Sequence, residues 1–561
     1  MASDLPVRSS APTAGHGHGH HGRHERGAVP GPAAGTTAPA GRAWLTTLVA
    51  CLGVVVAYLP FTGTTTALPT MAAQLHASTS DLQWVSDLFV IAMAAVLLPA
   101  GVIGDVHGRK KVFAAGLVLT FVGSVIGMAA RNVHTLWIGE AVMGCGAAAL
   151  LPSSLALISH AVPDPLARAR HIAAWASSLG AGLAVGGVSA GVILDHAQWR
   201  WIFAPAAGLA VVILLIAALA LADSRAPAGR TLDWFGQLLA AIAVTALVYG
   251  VIEGGSTSWS SAHAVAGFAV AAVAVLGFIP VELNVRSPML DLALFRSRGF
   301  TGAVVVATIG MFALTGSLFV LSLYFGTVQH LSGLDIAWRI AVACVVMMVA
   351  GPIAGIAMKV LSPVLLMVAG LLFTAGALLW SVSLDPGTGF GPTAGRVALL
   401  GFGLGILFTP MTAAAVSSVS LHQAGMASAG LNALRQTGGA LGPAVLGALL
   451  TSRAVSPLPS ALASHGVTGP ARESVLQVVQ QAGLGGAATY PYGPRSRAVQ
   501  GAFSDSLTRA MHTCTLVGAG VLVFAALAAL LIEHGPRLFA RQPEQGPLAL
   551  AETIAETVSD S

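Results

Sequence analysis

Two apolar stretches, Trp84–Ala100 and Phe113–Ala130, each close to a membrane's width in helical rise, flank one short polar knot. No other feature constrains this chain as much. The knot reads Gly101-Val102-Ile103-Gly104-Asp105-Val106-His107-Gly108-Arg109-Lys110-Lys111-Val112. A backbone in lipid must satisfy its own hydrogen bonds, so the flanking stretches are helices and the knot is the tip of a helical hairpin. Gly101 and Gly104 allow close backbone approach, and Gly108 permits the tight turn. Arg109, Lys110 and Lys111 load the tip with positive charge, which places it on the cytoplasmic side. Asp105 lies within reach of these cations. A lone carboxylate at a membrane edge is costly, so it is expected to pair with Arg109 or to sit at the positive N-terminus of a neighbouring helix.

Composition extends this reading to the whole chain. Apolar residues make up 55% and charged residues 9%, whereas soluble proteins carry nearer a quarter charged. The chain is therefore an all-α integral membrane protein. Its basic balance of +5 implies no nucleic-acid partner, because most of the Lys and Arg residues fall in loops that the alternation of spans puts inside. Cys51, Cys145, Cys344 and Cys514 lie in apolar stretches at unrelated spacings and suggest neither a disulfide nor a metal site. No P-loop and no catalytic constellation is present, which argues against an enzyme or an ATP-driven pump, and no cofactor is implied.

Hydropathy divides the chain into fourteen expected spans. Residues 1–42 form a disordered cytoplasmic tail rich in His, Gly and Pro; its His16, His18, His20, His21 and His24 read as a solvated tract before they read as a metal site. A six-helix bundle follows over 43–222, then a linker with two extra spans over 223–299. A second six-helix bundle covers 300–533 and contains an extracytoplasmic loop at 453–510, and a cytoplasmic tail occupies 534–561. Both termini are then cytoplasmic. The first span carries Pro60 and the threonines Thr62, Thr64, Thr65 and Thr66, and is expected to kink there, with hydroxyls bonding back to freed carbonyls. Trp84, Trp199 and Trp201 read as interfacial belt residues.

Two acids fall inside the first bundle, Asp87 in the second span and Glu140 in the fourth. A charge at mid-span costs roughly 2.5–3.5 kcal/mol, so an idle acid there is poorly explained by stability, and a carboxylate able to take and lose a proton is a coupling site. The plainer alternative has Asp87 exposed at the interface and Glu140 snorkelling outward or paired with Arg131. Small residues mark helix contacts or bends: Gly144 and Gly146 in span four, Gly182, Gly186, Gly187 and Gly191 in span five, Gly442 and Pro443 in span thirteen. They also hint at a repeat. Gly186-Gly187 with Gly191 recurs as Gly442-Pro443 with Gly447, and Gly144-x-Gly146 with Pro152 recurs as Gly403-x-Gly405 with Pro410.

The hairpin pattern Gly-x-x-x-Asp-x-x-Gly-Arg-Lys resembles the loop between spans two and three of the major facilitator superfamily. Further stretches sharpen the resemblance to its fourteen-span drug:proton antiporters: Trp84-Val85-Ser86-Asp87, Gly144-Cys145-Gly146-Ala147-Ala148 with Pro152, Trp199-Arg200-Trp201-Ile202-Phe203, Leu290-Asp291-Leu292-Ala293-Leu294-Phe295-Arg296, and Ala424 to Pro443 with Asn432 and Arg435. The resemblance implies the major facilitator fold and alternating access. A monomer would bind a small amphiphilic or cationic substrate between its bundles and exchange it for protons, and Asp105 and Arg109 would latch the two halves when the transporter opens outward. Pro60 stands where such pumps often carry an aspartate, Glu140 where they carry an arginine, Met143 where they carry a glutamine, and Gly186-Gly187 where they carry Gly-Pro. Proton and substrate handling is thus expected at Asp87, Glu140 and Met143. Transport of another solute or a metal ion on the same fold, or an uncoupled receptor, are the alternatives.

Overall fold

The computed structural model describes residues 40–162, 164–221, 233–285, 288, 290–419, 424–490 and 492–534. The His-rich tail, the linker residues Arg225 and Arg230, Arg286 and the 535–561 segment lie outside them. Six helices form the first bundle: α1 (Ala40–Leu75), α2 (Thr79–His107), α3 (Arg109–Ala129), α4 (Val133–Ala161), α5 (Pro165–His196) and α6 (Ala204–Ala220). The inserted pair is α7 (Trp234–Ser256) and α8 (Ala262–Asn284). The second bundle runs through α9 (Arg298–Leu323), α10 (Gly333–Ala357), α11 (Pro363–Ser381), α12 (Phe390–Ser417) and α13 (Ala424–Val455). It is completed, after α14 (Leu458–Ser464) and α15 (Pro470–Thr489), by α16 (Ser496–His534). Fourteen of these helices are long and apolar enough to cross a membrane.

Local chemistry sets the helix starts. Ser78 and Asp81 form a reciprocal capping box on α2, Asn132 caps α4, and Ser261, Ser332 and Ser362 cap α8, α10 and α11. Each cap satisfies backbone donors that would otherwise face lipid headgroups unpaired.

Helix pairing is the same in both bundles: α1 packs on α5 as α9 does on α13, α2 on α4 as α10 on α12, and α3 on α4 as α11 on α12. The glycine contacts fix the register of the repeat. A Cβ on Gly144 would lie 2.3 Å from Phe89 O, and one on Gly401 2.1 Å from Ala343 O. One on Gly146 would lie 2.5 Å from Thr120 Oγ1, and one on Gly403 2.4 Å from Thr374 Oγ1. The counterpart of Gly144-x-Gly146 is therefore Gly401-x-Gly403, two residues earlier than the expected Gly403-x-Gly405. Span five behaves as expected, since Gly186 meets Leu59 O and Thr62 Oγ1 as Gly442 meets Phe312 O and Thr315 Oγ1.

Other expectations change in detail. Residues 453–510 are largely helical: α14 and α15 bury Leu458, Leu462, Val475 and Val479 against the ends of other helices, and α16 begins at Ser496, well before the apolar run near 511. Their apolar residues are diluted by Arg, Ser and Gly, so hydropathy alone hides them. Of the expected belt tryptophans, Trp201 reaches the surface and is 55% exposed, Trp84 is half-buried and Trp199 is buried. Among the threonines of α1, Thr65 bonds back to Phe61 O as expected, whereas Thr62 donates across to Leu183 O of α5 at 2.7 Å.

The two bundles meet along a seam where α5 packs on α10 and α2 on α13. At the end away from the 105–109 hairpin it is closed by Ser322 Oγ donating to Thr65 O at 2.5 Å and by Leu334 N–H on Asp195 Oδ1 at 3.4 Å. Gly326, in the wide π-turn Tyr324–Val328 that ends α9, lies directly against Pro69. The inserted α7 packs on both α2 and α13, bridging the seam, with Gln237 Nε2 donating to Ala95 O. α8 touches mainly α7 and exposes Val273 and Leu276 on its other side.

Candidate functional site

The hairpin is built by its glycines and charges. Gly108 ends α2 and opens α3 at φ 117°, a conformation that side chains disfavour. Arg109 then points back along α2, its Nε and one terminal nitrogen both 3.1 Å from Asp105 Oδ1. Its other terminal nitrogen donates to Ala156 O at 3.4 Å. Lys110 Nζ reaches Ala218 O at 2.8 Å and Leu221 O at 2.7 Å, so its charge sits on the negative end of α6. Every one of these partners belongs to the first bundle. Gly101 faces Pro152 of α4.

Asp87 is completely buried, and neither carboxylate oxygen has a hydrogen-bond partner. Its place follows from helical spacing. Gln83, four residues before it, donates to Pro443 O and Ala444 O of α13 at 3.2 and 2.9 Å, and Val90, three residues after it, meets Gly439 of α13. Asp87 thus belongs to the stripe of α2 that faces α13 across the seam. Met93 on the same stripe accepts from Gln436 Nε2 at 3.3 Å. Gly447 makes room for Gln83, since a Cβ there would lie 2.4 Å from Gln83 Nε2.

Glu140 occupies a different interface. It is 1% exposed on α4, and Thr64 Oγ1 of α1 donates to its Oε1 at 2.6 Å. This hydroxyl–carboxyl bond joins α1 to α4. The two acids are not brought together, and Arg131 does not pair with Glu140. Met143, one turn further, turns towards α3: Ser124 Oγ donates to its Sδ at 3.5 Å and Gly123 packs beneath it. Its thioether therefore fills the α3–α4 contact.

A small cavity, with room for about one water, lies on the seam. The first bundle contributes Tyr58 and Phe61 of α1 with Leu179 and Leu183 of α5. Met311 and Leu314 of α9, Phe408 of α12 and Arg435 of α13 face them from the second. The Arg435 guanidinium stands 5.9 Å from the centre of the Phe408 ring. The Arg435 Nε and the Tyr58 hydroxyl are both buried without a hydrogen-bond partner. Sequence reasoning singled out Arg435 only as part of a resembling stretch; a cation midway along an apolar helix is itself the signal that could have marked it. Tyr58 carries no comparable signal. The glycines of α5 set the wall of this cavity, with Gly182 and Gly186 bringing α5 onto α1 and Gly191 bringing it onto Gly333 and Ala337 of the second bundle. Gly187 faces Thr66 more loosely.

Comparison with known proteins agrees with this architecture. Residues 50–443 match the family model described as Major Facilitator Superfamily. The chain is 28% identical over 508 residues to the tetracenomycin C resistance and export protein of Streptomyces glaucescens, covering 90% of this chain and 93% of that one. It is 31% identical over 417 residues to the multidrug resistance protein Stp of Mycobacterium tuberculosis, covering 73% and 76%. Among solved structures, a bacterial homologue of the human lysosomal transporter Spinster, inward-facing and unoccupied, superposes with a TM-score of 0.58 at 16% identity, over 88% of this chain and 99% of that one. With two pseudo-equivalent six-helix bundles, the Gly-x-x-x-Asp-x-x-Gly-Arg-Lys hairpin and a family match across most of its length, the chain belongs to the Major Facilitator Superfamily.

Proposed function

We propose that this chain is a secondary active exporter, carrying drug- or antibiotic-like amphiphiles out across the cytoplasmic membrane in exchange for protons. The printed names of its relatives, which speak of resistance and export, support the export half. The observation that carries the proton half is Asp87, a carboxyl group without a partner at the moving interface between the bundles. Alternating access rocks one bundle against the other about a central site. A carboxyl on that seam gains water when the seam opens on one side and loses it on closing, so it can take a proton from one side and release it to the other. In the state described here the seam is closed away from the hairpin, and the hairpin with its cations faces the cytoplasm. Residues before α1 and after α16 are then cytoplasmic too.

Glu140 links this exchange to the cavity. Thr64 lies on the same helix as Tyr58 and Phe61, so a substrate that shifts α1 also shifts the hydroxyl that holds Glu140. Asp105 and Arg109 act at the other end as a conformational latch: paired to each other in this state, they exchange partners when the cytoplasmic side closes. The experiment is accumulation of a panel of compounds in inverted vesicles made from cells producing the protein. Uptake energised by an inside-acid gradient and abolished by a proton ionophore supports the reading. Uptake that is indifferent to the ionophore would overturn the antiport.

A further inference from the structure

We infer that the central cavity recognises a negatively charged oxygen on a planar aromatic compound, a phenolate or an aromatic carboxylate, with Arg435 meeting the charge and Tyr58 completing the site. This rests on the export reading above and narrows its substrate class, against the sequence-based expectation that the charge, if any, is positive.

Three observations converge. First, among the described residues Arg435 is the one charged side chain lining the cavity, and no carboxylate among them lies on its walls. Asp87 and Glu140 are turned into helix interfaces, one facing α13 and the other held by Thr64. A cation placed here would meet Arg435 with no counter-charge in a site of low dielectric, where like-charge repulsion is strong.

Second, the cavity offers hydrogen-bond donors that nothing in the protein uses. The Nε–H of Arg435 and the hydroxyl of Tyr58 come from opposite bundles, line the same space and are both buried without partners. Buried polar groups of folded proteins are nearly always paired, and an unpaired buried donor is costly. One anionic oxygen between them satisfies both at once, because a guanidinium donates to an oxyanion in strong charge-assisted bonds and a phenol can donate to the same atom. Contacts drawn from both bundles also make occupancy dependent on their relative position, as a transported substrate requires.

Third, the remaining walls select the carrier of that oxygen. Phe408 already stacks against the Arg435 guanidinium and Phe61 stands on the other side, while Met311 supplies a soft, adaptable surface. A planar ring system inserted along the Phe408 face keeps its acidic oxygen at Arg435 and its apolar body against Phe61 and Met311. In the state described here the space between these walls has room for about one water, so the ring system enters as the bundles part.

The test measures binding to the purified full-length protein in lipid nanodiscs by fluorescence titration. Two planar probes of opposite charge serve: alizarin, a dihydroxyanthraquinone, at a pH where it is ionised, and the cation ethidium. Alizarin is expected to bind the wild type more tightly than ethidium does. Arg435→Gln should weaken alizarin by about tenfold or more, the loss expected for one charge-assisted bond, while leaving ethidium unchanged or tighter. Arg435→Lys should recover part of the loss, and Tyr58→Phe should weaken alizarin by a few-fold. Should Arg435→Gln fail to fold, Arg435→Lys and Tyr58→Phe carry the same comparison. Equal alizarin affinity in the wild type and the Arg435 variants, or tighter wild-type binding of ethidium than of alizarin, would overturn the inference. Because the readout is binding, the two readings fail separately. Arg435-dependent alizarin binding without vesicle uptake sinks export and keeps the anion site; proton-driven ethidium export without alizarin binding does the reverse.

Discussion

At Gly186 the carbonyl of Leu59 stands 2.3 Å, and Thr62 Oγ1 2.5 Å, from where a Cβ would be, so even a methyl group must push α5 off α1. Gly376, on α11, meets nothing within 4 Å. The two positions therefore respond oppositely to the same substitution. Gly186→Ala should destabilise by about 1–3 kcal/mol through overpacking. Gly376→Ala should stabilise by about 0.5–1 kcal/mol through reduced backbone entropy of the unfolded chain and better helix propensity. Melting of the detergent-solubilised protein reads both; a lower midpoint for Gly376→Ala than for Gly186→Ala would contradict this packing. The residue scale also shows what a sequence can and cannot deliver. That Asp87 and Glu140 are acids in lipid territory is plain from hydropathy. Which way each one faces is not, because the direction depends on how α2 and α4 are rotated, and that is set by contacts with Gly447, Phe89 and Thr64 far away in the chain. Met143 enters the expected site because it stands where the resembling pumps carry a glutamine, yet its rotation takes it to α3.

Among the elements, the hairpin between α2 and α3 was the most legible, since its glycines and charges act locally. Asp105 does pair with Arg109, and Gly108 does take the positive φ that the turn requires. Asp105→Asn should leave expression and membrane insertion intact while lowering export several-fold, because a latch governs the balance between conformations. Wild-type export by this variant, measured as compound resistance at matched protein level, would remove the latch from the account. Span number was equally legible, since thickness in lipid leaves little choice of length. The register of the repeat was not. Gly401, Gly403 and Gly405 form a ladder in which spacing from Pro410 misses either pair by one residue, and only the partners Ala343 and Thr374 decide it. α14 and α15 escaped notice for a related reason: they lie outside the run of long apolar spans and bury only one face, so their mean hydropathy resembles a loop.

On the scale of the whole molecule, two bundles meet along a seam that holds the cavity, Asp87 and the bridging helix α7, so any rocking of the bundles acts on all three together. The topology this requires is testable directly. With Thr468, which is exposed between α14 and α15, replaced by cysteine in a variant lacking Cys51, Cys145, Cys344 and Cys514, an impermeant thiol reagent should label intact cells from outside. Labelling only in inverted vesicles would put this segment on the cytoplasmic side and break the fourteen-span order. The central claim is that substrate and proton trade places through the acids of the first bundle. The most direct measurement is proton release from the purified, lightly buffered protein when an exported compound is added, compared between the wild type, Asp87→Asn and Glu140→Gln. The account predicts release by the wild type and none by Asp87→Asn, with Glu140→Gln likewise silent; undiminished release by both neutral variants would contradict it.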